Sequence, residues 1–138
     1  MLEIGAIKLL ISHHDKEVIN RLEQICDDFT AMVKSGYYSG ACEADVKFHE
    51  TIMKGSRNSR LQRIYENSNI PLFHFKLGTS SQMDDYAQTD EEHRKIVRAL
   101  KKNDYKTAID TLKNHLDRGE KEMLGLVPDE NTGIQLFI

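Results

Sequence analysis

The sequence lacks most of what would mark a membrane-spanning, exported or duplex-binding chain. Its longest apolar runs fall far below bilayer length. The opening MLEIGAIKLLISHHDKE has no basic segment followed by a long apolar one, so no secretory signal is read there. Cysteine is scarce. Cys26 and Cys42 sit in unrelated segments without CxxC spacing and are read as free thiols in a reducing cytoplasm. No Lys/Arg-rich stripe stands out and the net charge is −3, whereas duplex binding calls for excess positive charge against the phosphates. Neither a Gly-rich phosphate loop nor a nucleophile elbow is present. Punctuation is sparse as well: two prolines and eight glycines in 138 residues leave room for long uninterrupted elements.

What is there is a globular balance, 39% apolar and 30% charged, in a chain long enough to bury roughly two-thirds of its unfolded surface. The apolar period is helical almost throughout. Ile4, Ile7, Leu10 and Ile11 mark a short first helix, and Asp15 is a plausible N-cap for the second. Val18, Leu22, Ile25, Phe29, Met32 and Val33 form the second stripe, which stops at Ser35-Gly36. The third helix ends at Gly55-Ser56. Asn58 or Ser59 then caps a fourth with Leu61, Ile64, Tyr65, Ser68, Leu72 and Phe75 on one face, bent at Pro71. Thr89 and Glu92 read as a capping box opening the fifth helix, which runs through Ile96, Val97 and Leu100. Asp104 opens the sixth, with Ala108, Leu112, Leu116 and Met123. The expected fold is all-α, an antiparallel bundle of about six to seven helices over residues 1–125, followed by a tail at 126–138.

Four polar residues violate this patterning. In ACEADVKFHETIM the residues Ala41, Ala44, Phe48 and Ile52 should face the core, yet Asp45 and His49 share their side, four residues apart. His93 precedes Ile96, Val97 and Leu100 by helical steps, and His115 follows Leu112 in the same way. Burying a lone carboxylate is costly. One Asp and three His pointing inward from three helices share one explanation, a divalent cation inside the bundle. The bland alternative is a hydrogen-bonded polar core. His13 and His14 flank a cap and are read as exposed, and His74 falls off its helix's apolar face. The charged runs Arg98-Lys101-Lys102 and Asp117–Glu122 are read as solvated faces.

ADVKFHETIMKGSRNSRL is similar to the D-x-x-F-H-x-x-I…S-x-N-x-x-L signature of the FCD domain, the C-terminal effector-binding module of FadR-type GntR regulators. EEHRKIVRALKKNDYKTAIDTLKNHL resembles that family's later signature, and the likeness covers roughly residues 2 to 124. The resemblance implies a helical bundle around a cavity. It also implies a divalent metal on Asp45, His49, His93 and His115, and a small organic-acid or sugar-acid effector beside it. A homodimer is implied too, with DNA contact only through a winged helix-turn-helix domain that this sequence does not contain. The ligand set suits Zn²⁺ first, with Ni²⁺, Mn²⁺ or Fe²⁺ as alternatives. Asn69 or Lys76, on the fourth helix, could hold the far end of the effector. The expected function is ligand sensing in the cytoplasm rather than catalysis. A small metalloenzyme using Glu92 as general base and a metal-free dimerisation module are the rival readings.

Overall fold

Polar caps set where the helices begin. Asp15 accepts from the backbone N–H groups of Glu17 at 3.1 Å and Val18 at 3.3 Å, capping α2, Lys16–Lys34. Asn58 accepts from Arg60 and Leu61, both at 3.1 Å, capping the short helix α4, Ser59–Asn67. The remaining helices of the computed structural model are α1, Leu2–His13; α3, Tyr38–Gly55; α5, Met83–Lys101; and α6, Tyr105–Leu124. The structure describes residues 2–68 and 83–124, and among them every regular element is a helix. The expected continuation of α4 past Pro71, the loop at 78–81 and the tail at 126–138 lie outside the described residues.

Two helix ends close by the same device. After α2, Tyr37 N–H bonds the Met32 carbonyl at 2.9 Å and Gly36 N–H the Val33 carbonyl at 3.1 Å. Gly36 takes the left-handed φ of 75° that this reversal requires. After α5, Asn103 does the same at φ 56°, with Asp104 N–H reaching the Ala99 carbonyl at 2.9 Å. Asp104 then caps α6 by accepting from Thr107 N–H at 3.2 Å.

α2 packs along α3 and α5, α5 along α6, and α1 lies against α3 and α6, while α4 leans on α3 and α1. Leu22, Ile25 and Phe29 of α2, Phe48 and Ile52 of α3, Ile96 and Leu100 of α5, and Leu112 of α6 share one core. Each such side chain, once fully buried, contributes about 1.5–3 kcal/mol. α3 is enclosed on most sides, and its first half carries Gly40, Ala41, Cys42 and Ala44, small residues that let neighbours approach. Arg94 of α5 ties to α2 by donating to Thr30 Oγ1 at 2.7 Å and pairing with Asp27 at 3.1 Å.

Three local expectations are corrected. The fifth helix starts at Met83, not at Thr89, because Tyr86 is buried against Tyr38 (ring centroids 4.8 Å apart) and Phe29, which carries the helix upstream. Ile64 is 53% exposed: α4 turns Tyr65 inward, and one residue back is about 100° around the helix. Within the charged run at 117–122, Arg118 is drawn inward rather than solvated.

Asn58→Ala removes the acceptor for two N–H groups at the start of α4. It should cost about 1 kcal/mol in stability, read as a lower urea midpoint with an unchanged slope.

Candidate metal centre

The four polar residues selected by helical phase meet at one place. Asp45 and His49, one helical turn apart on α3, approach to 3.2 Å between Oδ1 and Nε2. His93 of α5 brings its Nε2 to 2.9 Å from the same Asp45 oxygen. His115 of α6 brings its Nε2 to 3.1 Å from His49 Nε2. One nitrogen or oxygen from each residue lies within 4.8 Å of all the others. All four side chains are buried, His49 and His93 completely.

The outer edges of two rings are held by carboxylates. Glu3, buried on α1, contacts His49 Nδ1. Glu92 Oε1 lies 2.8 Å from His115 Nδ1. Glu92 is itself gripped by Arg118, which donates to Oε1 at 2.6 Å and Oε2 at 3.2 Å and also reaches Thr89 Oγ1 at 2.7 Å. The Arg118 clamp occupies both side chains of the expected capping box. A carboxylate beside Nδ1 favours the tautomer that carries its proton there, which in the neutral rings leaves Nε2 of His49 and of His115 to offer a lone pair inward. His93 differs. Its ring stacks on Phe48 at 4.1 Å between centroids and meets Phe29 edge-on. Neither of its nitrogens makes a hydrogen bond of acceptable geometry among the described residues.

The electrostatics follow from this crowding. Burial pushes the His49 imidazole down, but the charges and hydrogen bonds of Glu3 and Asp45 outweigh it and raise its pKa to about 10. Burial dominates at His93 and lowers it to about 4, against the pull of Asp45. His115 is also lowered, first by burial and then by His49, with Glu92 opposing. Burial raises Glu92, yet its bonds to His115 and Arg118 hold it at about 2. A carboxylate so acidic is a weak base, and its oxygens are already engaged, so Glu92 does not supply the general base that a metalloenzyme here would need.

The donor set fits a divalent cation. Ligands about 2.0–2.1 Å from a metal sit roughly 2.9–3.4 Å from one another in octahedral or tetrahedral arrangements. The contacts of 2.9, 3.1 and 3.2 Å fall in that range. Three imidazole nitrogens and one carboxylate oxygen suit a borderline transition metal. The hydrogen-bond orphan His93 is what a ring aimed at an ion would look like.

A family model of the FCD domain matches residues 1–118. The chain therefore belongs to the FCD domain family, the C-terminal domain of FadR-type GntR regulators, a family of transcription regulators rather than enzymes. A comparison with curated proteins finds no match. Among the described residues no helix is long and apolar enough to cross a membrane.

Sequence reasoning missed Glu3, Thr89 and Arg118. Glu3 was legible in principle, since Glu3, Ala6, Ile7 and Leu10 follow helical spacing and are the buried face of α1. Arg118 lies three residues after His115, but nothing in a mixed charge run marks one arginine as inward. The expected effector contacts Asn69 and Lys76, and His74, lie outside the described residues. His13 and His14 are exposed, with His13 Nε2 3.3 Å from the Ser56 carbonyl.

The metal-free protein should show a stability maximum near pH 6.5. His93 has a depressed folded pKa, so its contribution is present above about 6.5 and is lost as pH falls through about 4. His49 has a raised folded pKa, so its contribution is present below about 6.5 and is lost as pH rises through about 10. Urea midpoints of chelator-treated protein across pH 4 to 10 check this, and a monotonic profile would contradict it.

Proposed function

We propose that this chain is the ligand-sensing domain of a GntR-family regulator, in which Asp45, His49, His93 and His115 hold a divalent transition metal and a small organic or sugar acid binds beside it. The observation that carries the reading is the approach of His49 Nε2 and His115 Nε2 to 3.1 Å, while the outer nitrogens of both rings face Glu3 and Glu92. In the neutral rings two lone pairs would face each other across 3.1 Å, a repulsion relieved by positive charge between them, a proton or a metal ion. A cation held there supplies that charge and exchangeable coordination positions for a carboxylate; Zn²⁺, Ni²⁺, Mn²⁺ and Fe²⁺ all suit the ligands.

The chain's own residues do the rest. Glu3 and Glu92 fix the tautomer and tilt of two rings, and Phe48 and Phe29 fix the third by packing. Arg118 keeps Glu92 charged and in place. An acid that binds one arrangement of α1, α3, α5 and α6 better than another shifts their balance by that difference in affinity. In the parent regulator, acting in the cytoplasm as a homodimer, the shift would reach DNA through winged helix-turn-helix domains.

Protein purified without added metal should contain a divalent cation on elemental analysis, and Asp45→Asn should lose most of it. Glu3→Gln should retain the site but weaken metal affinity about 10- to 100-fold. Organic acids should raise the melting temperature in a dose-dependent way only while the metal is present. Metal content unchanged by Asp45→Asn would overturn the assignment.

A further inference from the structure

Tyr65 carries a polar group that the fold does not use. It sits on the inner side of α4 and is 2% exposed, yet its hydroxyl makes no hydrogen bond among the described residues. Leaving a buried hydroxyl unpaired is unfavourable, and a phenylalanine would fill the same space without that cost. α4 packs on α3 and α1, the helices that deliver Asp45, His49 and Glu3. The Glu3 and Asp45 charges are among those that act on this hydroxyl. After burial, these charges and that of Glu50 push the phenol further up, so it stays protonated and is a hydrogen-bond donor.

A donor held without an acceptor beside a set of converging metal ligands suits an acceptor that arrives with the ligand. We propose that Tyr65 is a recognition residue whose hydroxyl donates to a second oxygen of the bound acid, the first being the carboxylate at the metal. This rests on the sensor reading given above. It narrows the effector class to acids with two oxygen functions, hydroxy-, oxo- or dicarboxylic acids, over simple monocarboxylates. Preference follows from the asymmetry of buried hydrogen bonds: an acid lacking the second oxygen leaves the Tyr65 hydroxyl unpaired, whereas one that has it removes the penalty.

The test compares the wild-type full chain with Tyr65→Phe, both loaded with Zn²⁺, by calorimetric titration of malate, citrate and acetate. The wild type should bind malate or citrate more tightly than acetate. Tyr65→Phe should bind them roughly ten-fold more weakly, leave acetate unchanged and keep the same zinc content. Without acid the variant should melt no lower than the wild type, because the hydroxyl it loses has no partner to lose. Equal malate and citrate affinity in the two proteins overturns the assignment while leaving the sensor reading intact. So does a variant that melts lower without acid, since the hydroxyl would then be structural. Acid binding that survives removal of zinc by chelator overturns the metal-dependent reading instead. Wild-type protein that ignores all three acids overturns both.

Discussion

His49 and His115 present their Nε2 atoms to each other across 3.1 Å while carboxylates occupy the far side of each ring. The interior of the bundle is arranged around this confrontation. Glu3, Asp45 and Glu92 bring three negative charges to a core whose one fixed cation is Arg118, among the described residues that touch the cluster. Two negative charges are thus left over in a dry interior, where the penalty is several kcal/mol per ion. A fully buried Leu or Phe contributes about 1.5–3 kcal/mol, so only a few core side chains could offset one such charge. The fold therefore demands positive charge at this point. In the metal-free state a proton on His49 meets part of the demand, which is why its pKa rises despite complete burial. The proposed dication would meet all of it.

The same constraint explains how the helices are tied together. α1 contributes Glu3, α3 contributes Asp45 and His49, α5 contributes Glu92 and His93, and α6 contributes His115 and Arg118. α2 stands outside this set and acts as the apolar spine, through Leu22, Ile25 and Phe29 and the clasp from Arg94 to Thr30 and Asp27. Phe29 joins the two roles, since its ring meets that of His93. A change in how any one of these side chains meets the cluster would therefore be felt by four helices at once. Packed interiors respond to such a change by switching between discrete arrangements, not by stretching.

Much of this was legible in the sequence because helical phase is a strong signal. The stripe from Leu22 to Phe29 and the inward turn of Asp45, His49, His93 and His115 all follow from 100° steps, and the structure places them accordingly. Asp15 and Asn58 were legible as caps because their side chains bond the nearest N–H groups, a purely local event. The errors have a common physical origin. Thr89 and Glu92 have the residue types of a capping box, yet Arg118, from another helix, takes both side chains, and Tyr86 carries α5 past the expected start. Glu3 holds the position of an ordinary first-turn acid of α1, and only the partner His49, 46 residues away, gives it a role. Local preference identifies helices; which polar side chains pair across them is a tertiary fact.

The chemistry of the centre favours holding a ligand over transforming one. Turnover by an activated water needs a base with a free lone pair and a pKa not far from the working pH. Glu92 is held at about 2 with both oxygens on His115 and Arg118, and Glu3 is committed to His49. Tyr65 errs in the other direction, its phenol pushed up so that it keeps its proton and can donate it in a hydrogen bond. Asp45 lies against His49 and His93. Each carboxylate at the cluster is thus spent on orienting an imidazole or on the converging set itself, and the buried Tyr65 hydroxyl, which makes no hydrogen bond among the described residues, is available as a donor. Such a donor, together with exchangeable positions on the proposed metal, would recognise an anion. A regulator's binding domain needs the first and is better without the second, since an effector consumed at its own sensor could not report its concentration.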